Sequence, residues 1–202
     1  MNLTTPEAVK RLMVGDSGNL DADALAQIGF LIGSISARAA TYCNRDFEAV
    51  ERVEYLDGGG RYLYLACPPV REIKEVLYSF TWDWATASIY GPADYALVDA
   101  VAGMIGFRGS YWPEGDKAMR VTYTGGYDLP PAEGEDPPEG YTPIPADLEA
   151  AICKQAVYEF RRREDLGLRA VSLPDGSINK MEVEEWLTEV KDTLDRGYRI
   201  RP

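Results

Sequence analysis

The residue types that most often carry catalysis are scarce in this chain of 202 residues, which contains no histidine. It therefore lacks the commonest general base, the commonest zinc ligand and every Ser-His or Cys-His pair. The remaining routes use carboxylates with a metal, lysine or tyrosine, and the 33 acidic residues show no spacing typical of a carboxylate site. We expect no enzyme, no catalytic residues, no cofactor and no metal site, and a metal-dependent carboxylate enzyme is the less favoured alternative.

Two loops have a superficial likeness to ligand sites. Residues 15–19, with Asp21 and Asp23 behind them, lack the ligand order, the glycine and the closing glutamate of an EF-hand. Both aspartates are better explained as acids at the positive end of a helix. The three glycines at 58–60 are followed by a strand pattern and no lysine-serine pair, so they are not a phosphate loop.

The composition is that of an ordinary globular protein, with 46% hydrophobic and 27% charged residues. Three well-separated cysteines, Cys43, Cys67 and Cys153, predict buried free thiols. The net charge of −12 argues against non-specific attraction to nucleic acid. No apolar run approaches the roughly 18 residues of a membrane span, and no signal peptide opens the chain. We expect no membrane partner, and assembly in a cytoplasm.

Apolar periodicity predicts three longer helices, over about residues 21–45, 146–166 and 180–195. A shorter helix opens the chain, with a threonine cap before Pro6. In the first long helix one stripe recurs at spacings of three and four: Leu25, Ile28, Ile32, Ile35, Ala39 and Tyr42. That stripe must be buried, and we expect the helix at 146–166 to pack on it.

Between these helices the pattern changes to that of short strands, which predicts an antiparallel β region over about 51–125. Its first two strands, on either side of the glycines at 58–60, read as a β-hairpin. The sequence thus predicts an α+β fold in one domain, 1–202. Its parts are a helical core at 1–50 and 145–196, the β region at 51–125, an acidic proline-rich loop at 129–145 and a basic tail at 197–202.

Three phrases, taken in order, resemble the head-to-tail connector (adaptor) proteins of tailed bacteriophages. The first is a long helix running into YCNRDF and then the strand pair ERVEYLDGGGRYLYLACPPVREIKEV. The second is MRVTYTGGYDLP, and the third is IPADLEAAICKQAVYEFRRRED, a helix that follows a proline and ends in arginines. Together they touch most of the chain between residues 21 and 167.

The resemblance implies a structural virion protein in the neck, where about a dozen copies form a ring between portal and tail. That ring would extend the DNA channel and complete the head for tail attachment. Its partners would be further copies of itself, the portal protein and a downstream tail or stopper protein, with DNA passing through unbound. Another ring or plug protein of the virion, such as a stopper or tail-completion protein, is the alternative, although a stopper would be mostly β.

Charged segments supply the candidate contacts of such a ring, which needs two different, complementary faces on each copy. The arginines that end the second long helix and the acidic loop are one such pair, and acids lining the channel would keep DNA from binding. The basic tail is a candidate contact with the portal. The candidate interface residues are Arg161, Arg162, Arg163, Glu133, Glu135, Asp136, Tyr198, Arg199, Ile200 and Arg201.

Overall fold

A computed structural model describes residues 1–15, 18–131, 135–163, 170–172, 178–180 and 185–200. It combines helices with antiparallel sheets, which confirms the predicted α+β class. The chain forms two compact units. The helical unit comprises 1–44 and 129–202, and the β unit comprises 45–128. The single domain over 1–202 stays a prediction.

The described part of the helical unit contains α1 (Pro6–Val14), α2 (Ala22–Cys43), α3 (Ala146–Arg161) and α4 (Thr188–Gly197). The first two begin at side-chain caps, as expected from the sequence. The hydroxyl of Thr5 accepts the N–H of Ala8 at 3.2 Å, and a carboxylate oxygen of Asp21 accepts the N–H of Ala24 at 2.7 Å. Asn44 then ends α2 in the left-handed conformation, with φ 53°. Asp21 is therefore a helix cap.

The two later helices are shorter than the sequence predicted. The structure ends α3 at Arg161, and residues 164–169 lie outside the described range. The prediction of a helix from residue 180 is wrong, because Ile178–Lys180 forms strand β9, paired with β8 (Ala170–Ser172). The chain is still extended at Leu187, whose N–H is held by a side chain of α3, so α4 begins only at Thr188.

Helix α3 lies at the centre of the helical unit and packs against α1, α2 and α4. The stripe of α2 is fully buried at Ile28, Ile32 and Ile35, and α3 buries Leu148 and Ile152. The predicted packing of these two helices is thus confirmed. By length and composition α2 is also the one helix in the described ranges that could cross a membrane, but its buried stripe is equally that of a core helix.

The β unit is built from two antiparallel sheets. In chain order its strands are β1 (Val50–Leu56), β2 (Tyr62–Tyr64), β3 (Val70–Tyr78), β4 (Ser88–Tyr90), β5 (Tyr95–Asp99), β6 (Met104–Phe107) and β7 (Met119–Gly125). One sheet has the order β1-β7-β3-β4 and the other β2-β6-β5. The predicted antiparallel β region is confirmed.

The predicted hairpin between the first two strands is wrong, because β1 pairs with β7 and β2 pairs with β6. The glycines between them turn towards a distant segment instead. The N–H of Gly58 donates to the carbonyl oxygen of Gly115 at 3.0 Å, and a Cβ on Gly58 would lie 1.7 Å from the carbonyl oxygen of Pro113. The glycines therefore permit a close backbone approach that a local turn signal does not reveal.

An aromatic cluster fills the core of the β unit. Trp112 is 1% exposed, and its ring lies 4.9 Å from that of Phe107 and 5.6 Å from that of Tyr90. Tyr123 is fully buried nearby and donates its hydroxyl hydrogen to Glu54 at 2.7 Å.

Two of the phrases that carry the family resemblance meet within the β unit. Arg45, from YCNRDF, is buried, donates to the carbonyl oxygen of Pro68 and lies 5.1 Å from the ring centre of Phe47. The carbonyl oxygen of Phe47 accepts the N–H of Tyr127, from MRVTYTGGYDLP, at 2.7 Å. Gly126 has φ 115°, a conformation that favours glycine. These phrases fix the entry to and the exit from the sheet.

Candidate assembly interface

No group of His, Cys, Asp and Glu residues in the described ranges is arranged to hold a metal ion. All three cysteines are free and buried, as predicted. The Sγ atom of Cys153 lies 3.1 Å from the hydroxyl of Thr4, and burial raises the pKa of that thiol. A raised pKa disfavours the reactive thiolate. The features left to consider are surfaces suited to binding other chains.

The three arginines at the end of α3 do not form one free basic patch. The guanidinium of Arg162 donates to the hydroxyl of Tyr158 and lies 5.1 Å from its ring centre. Arg163 donates to the carbonyl oxygen of Phe160 at 2.8 Å and covers that ring at 4.1 Å. Arg161 is exposed on the last turn. Two of the three side chains thus cover aromatic rings of their own helix.

The acidic loop is exposed wherever it is described. Glu135 and Asp136 lie in an exposed run that extends to residue 140, whereas Glu133 lies outside the described residues. Their carboxylates are therefore available to another chain.

A defined turn closes this run, and we name residues 135–141 the acidic tip. The N–H of Tyr141 donates to the carbonyl oxygen of Pro138 at 3.1 Å, and Gly140 has φ 78°. A positive φ at the third position is the signature of a type II turn, which suits glycine. The turn places Glu139 at its second position, directly after two prolines. The end of the acidic tip, residues 138–141, is thus a preformed turn.

The basic tail is bound to the helical unit over its described residues. Tyr198 is 8% exposed and donates its hydroxyl hydrogen to Asp147 at 2.5 Å. The N–H of Ile200 donates to the carbonyl oxygen of Cys43, at the end of α2, at 2.9 Å. Arg201 lies outside the described residues. Residues 198–200 are therefore not a free arm in the isolated chain.

Arg199, the remaining candidate in the tail, meets Tyr42 at the carboxylate of Asp195. The Tyr42 hydroxyl donates to both carboxylate oxygens at 2.9 Å, and Arg199 donates to one of them at 3.0 Å. These hydrogen bonds, that of Arg199 first, lower the pKa of Asp195, while burial and the bond to Asp195 raise the pKa of Tyr42. Asp195 therefore stays charged and holds the tail in place.

A groove of about 720 Å³ lies between α2 and the start of α4. The rings of Tyr42 and Trp186 lie 6.1 Å apart in it, and the guanidinium of Arg38 lies 5.0 Å from the Trp186 ring centre. We name it the α2–α4 groove. Its lining residues are Ala37, Arg38, Thr41, Tyr42, Glu185, Trp186, Thr188 and Lys191.

Side chains of α3 hold the walls of this groove in place. Gln155 is fully buried, donates to the carbonyl oxygen of Glu185 at 3.1 Å and accepts the N–H of Leu187 at 3.0 Å. Glu159, one turn further on, forms an ion pair with Arg38. The groove was not predicted from the sequence. The one sign of it in the sequence was Gln155, a glutamine on the apolar face of α3.

The β unit has a different kind of surface, in which large apolar side chains are exposed. On the sheet β2-β6-β5, Tyr64 is 61% and Val98 is 52% exposed. Gly106 lies between their strands, and a Cβ there would come within 2.7 Å of Val98. Others more than half exposed are Val53, Phe80, Trp82, Ile89, Val101 and Tyr111. Tyr64 and Val98, on one sheet, are the candidate contacts of the β unit with another protein.

No protein-family model and no curated protein matches the chain by sequence. Solved structures do match it. A chain from the neck of an empty gene transfer agent (GTA) particle, computed with C6 symmetry, is 16% identical with a TM-score of 0.52, and the match covers 98% of this chain and 90% of that one. A chain from the virion of a native GTA particle is 19% identical with a TM-score of 0.51, and the match covers 98% of this chain and 88% of that one.

Identities this low show a shared fold and nothing more. The fold is shared over nearly the whole of this chain, so it includes both the helical unit and the β unit. The chain has the fold of proteins from GTA particles, one of them from the particle neck, which confirms at the level of the fold its resemblance to phage head-to-tail connectors.

Proposed function

We propose that this chain is a structural protein of a virion neck, where about a dozen copies form a ring between the portal and the tail. The observation that carries the proposal is the fold shared over 98% of the chain with proteins of a GTA neck and a GTA virion. A neck with C6 symmetry repeats a ring component in multiples of six, and a dozen is such a number. The chain would be assembled in the host cytoplasm.

In this role the ring extends the DNA channel and completes the filled head for tail attachment. A net charge of −12 suits a channel through which DNA slides, because acidic walls do not retain phosphate groups. The role needs no catalysis and no cofactor, in keeping with a chain that has no histidine. It does need binding surfaces for further copies, for the portal and for a downstream tail or stopper protein.

The balance of helix and sheet favours a connector over a stopper, the alternative within the same virion. A stopper is expected to be mostly β, whereas this chain has a helical unit packed around α3. That unit carries the acidic tip, the arginines at the end of α3, the bound tail and the α2–α4 groove. We therefore place the contacts between copies on the helical unit.

Within such a ring, the acidic loop of one copy meets a basic surface of the next. Two surfaces of the helical unit qualify, the arginines at 161–163 and the α2–α4 groove with Arg38 and Lys191. The tail is the proposed contact with the portal. To reach the portal, residues 198–200 would have to release their bonds to Asp147 and Cys43, because both bonds lie within one chain.

The decisive experiment measures the mass of the purified protein, alone and with DNA-filled, tailless capsids. We expect a monomer or ring in solution and a ring of about twelve copies on the capsids, measured by native mass spectrometry, light scattering and electron microscopy. Capsids that already carry tails are the matched control and should bind none. A fixed small oligomer that ignores filled capsids would contradict the proposal.

A further inference from the structure

We propose that the acidic tip of one copy binds in the α2–α4 groove of the next copy. This contact between unlike surfaces would join copies head to tail and close the ring. The inference rests on the proposed function and names the partner of both surfaces as a second copy of this chain.

The acidic tip has the chemistry and the shape of a docking segment. It reads EDPPEGY, with three carboxylates around two prolines, and residues 135–140 are all exposed. Proline fixes φ, and the type II turn at Gly140 fixes the reversal that follows. A segment ordered before binding loses little conformational entropy on binding.

The α2–α4 groove suits this segment in its aromatic lining, its exposed cation and its size. Proline-rich segments bind grooves lined by aromatic rings. Tyr42 and Trp186 line this groove, and Trp186 is 8% exposed. Lys191 is exposed at its rim and forms no ion pair with the described residues. A volume of about 720 Å³ lies within the range of clefts that bind small ligands.

One cation of the groove, Lys191, is complementary to the negative tip. All charged side chains of the tip are negative, whereas the groove is lined by Arg38, Lys191 and Glu185. Because Arg38 already pairs with Glu159, Lys191 is the cation left to meet a carboxylate of the tip. Complementary charge of this kind selects the partner and its orientation.

The structure favours the groove over the arginines at the end of α3 as the receiving surface. Arg162 and Arg163 already lie over Tyr158 and Phe160 of their own helix. Of the three, Arg161 is exposed without such a stacking contact, and it does not line the α2–α4 groove. The tip is exposed, so it does not occupy the groove of its own chain. The groove is then left for a second copy, and a repeated contact between unlike faces generates a ring.

Charge exchange tests the contact in the full chain. Lys191→Glu and Glu139→Lys should each raise the protein concentration, or the dose on filled capsids, needed for half-maximal ring formation by about tenfold. Joining both changes in one chain, or mixing the two variants in equal amounts, should restore assembly because each restores opposite charges. Arg196→Glu is the matched control, since Arg196 lies on α4, is 82% exposed and does not line the groove.

A carbodiimide cross-link between Lys191 and the carboxylates of the tip gives an independent readout. In rings made from a mixture of ¹⁵N-labelled and unlabelled protein, mass spectrometry should find this cross-link between chains of different isotope content. Cross-links confined to single chains would overturn the proposal.

The outcomes separate this inference from the proposed function. Rings that form normally from both single variants, or that are blocked by Arg161→Glu instead, would overturn the groove contact and leave the neck function intact. Wild-type protein that forms no ring, alone or on filled capsids, would overturn both. Unchanged thermal unfolding of Lys191→Glu shows that a loss of assembly is not a loss of folding.

Discussion

The helical unit and the β unit differ in what they bury and what they expose. The helical unit has a largely aliphatic core around α3, and its outward features are charged: the acidic tip, the bound tail and the α2–α4 groove. The β unit has an aromatic core, yet most of the large apolar side chains that are more than half exposed also belong to it. Among the described residues of the helical unit, the large apolar side chains that are more than half exposed are Leu12 and Phe30.

This difference indicates two kinds of binding surface in one chain. Contacts through charge and a preformed turn give orientation and selectivity, which a closed ring needs at each repeat. Exposed apolar area gives stable association once a partner covers it. On the proposed function, we therefore expect the helical unit to join copies of the chain and the β unit to bind a different protein.

The substitution with the largest expected effect on stability removes Trp112. It tests whether the aromatic core stabilises the β unit alone. Trp112→Ala should lower the free energy of unfolding by about 3–5 kcal/mol, since it removes a large, fully buried side chain. Hydrogen exchange should show lost protection in β3 and β7, with α3 little changed. Trp82→Ala, at a side chain 62% exposed, is the control, and an equal loss of protection in α3 would remove the distinction between the two cores.

The next prediction concerns the buried polar group of the β unit. The hydroxyl of Tyr123 donates to Glu54 at 2.7 Å and accepts the N–H of Cys67 at 3.1 Å. Tyr123→Phe removes the acceptor of the Cys67 N–H and one of the bonds to Glu54. Glu54 still accepts the N–H of Ala66. The substitution should cost about 1–3 kcal/mol of unfolding free energy. Urea denaturation of both proteins measures the difference.

The pH dependence of Tyr123 sharpens the same comparison. Burial and the hydrogen bond to Glu54 raise the pKa of Tyr123 above its ordinary value of 10.0. The contribution of Tyr123 to the free energy of unfolding is therefore complete below pH 10.0 and is lost as the pH rises beyond that value. The stability of the wild type should fall more steeply above pH 10 than that of Tyr123→Phe, and parallel curves would contradict the assignment.

In the helical unit, the pH should affect the binding of the tail through Asp195. This effect is smaller than that of Tyr123 and appears at acid pH. Hydrogen bonds from Arg199 and Tyr42 hold the pKa of Asp195 below its ordinary value of 3.8. The group thus favours the bound tail above pH 3.8 and loses this effect as the pH falls further. The protection factor of the Ile200 amide, which compares its exchange rate with that of an unstructured peptide at the same pH, should fall below pH 3.8 in the wild type. Asp195→Asn should exchange faster at neutral pH and lose that dependence.

The smallest effect on stability is expected at the exposed apolar surface of the β unit. Tyr64→Ser should change the free energy of unfolding by no more than about 0.5 kcal/mol, because the side chain is largely exposed. Ring formation should persist, while fewer heads acquire tails in a complementation assay. If tail attachment is unchanged, the binding role that we assign to this surface is wrong.

Local patterns in the sequence predict much of this fold. The stripe of α2, the caps at Thr5 and Asp21 and the strand Met104–Phe107 follow from spacing and cap chemistry within a few residues. The start of α4 does not, because it depends on Gln155, which lies 32 residues from Leu187. The pairing of β1 with β7 is likewise set by contacts far apart in the chain.

The candidate interface also has parts that the sequence predicts and parts that it does not. Composition was sufficient to predict an exposed acidic loop, of which Glu135 and Asp136 are described. It was not sufficient to show that Tyr198 is buried, since a short basic tail carries no pattern that predicts packing. The α2–α4 groove arises where two helices converge, so no single stretch of sequence predicts it.

The exposed turn at Gly140 makes the state of assembly visible to a protease. Exposed loops with open backbone are preferred cleavage sites, and a glutamate-specific protease should cut the free chain after Glu139, within residues that lie fully exposed. Once a neighbouring copy covers the tip, that bond should resist cleavage. The rate of cleavage within the acidic tip would report, without purification, what share of the protein in a cell extract has joined a ring.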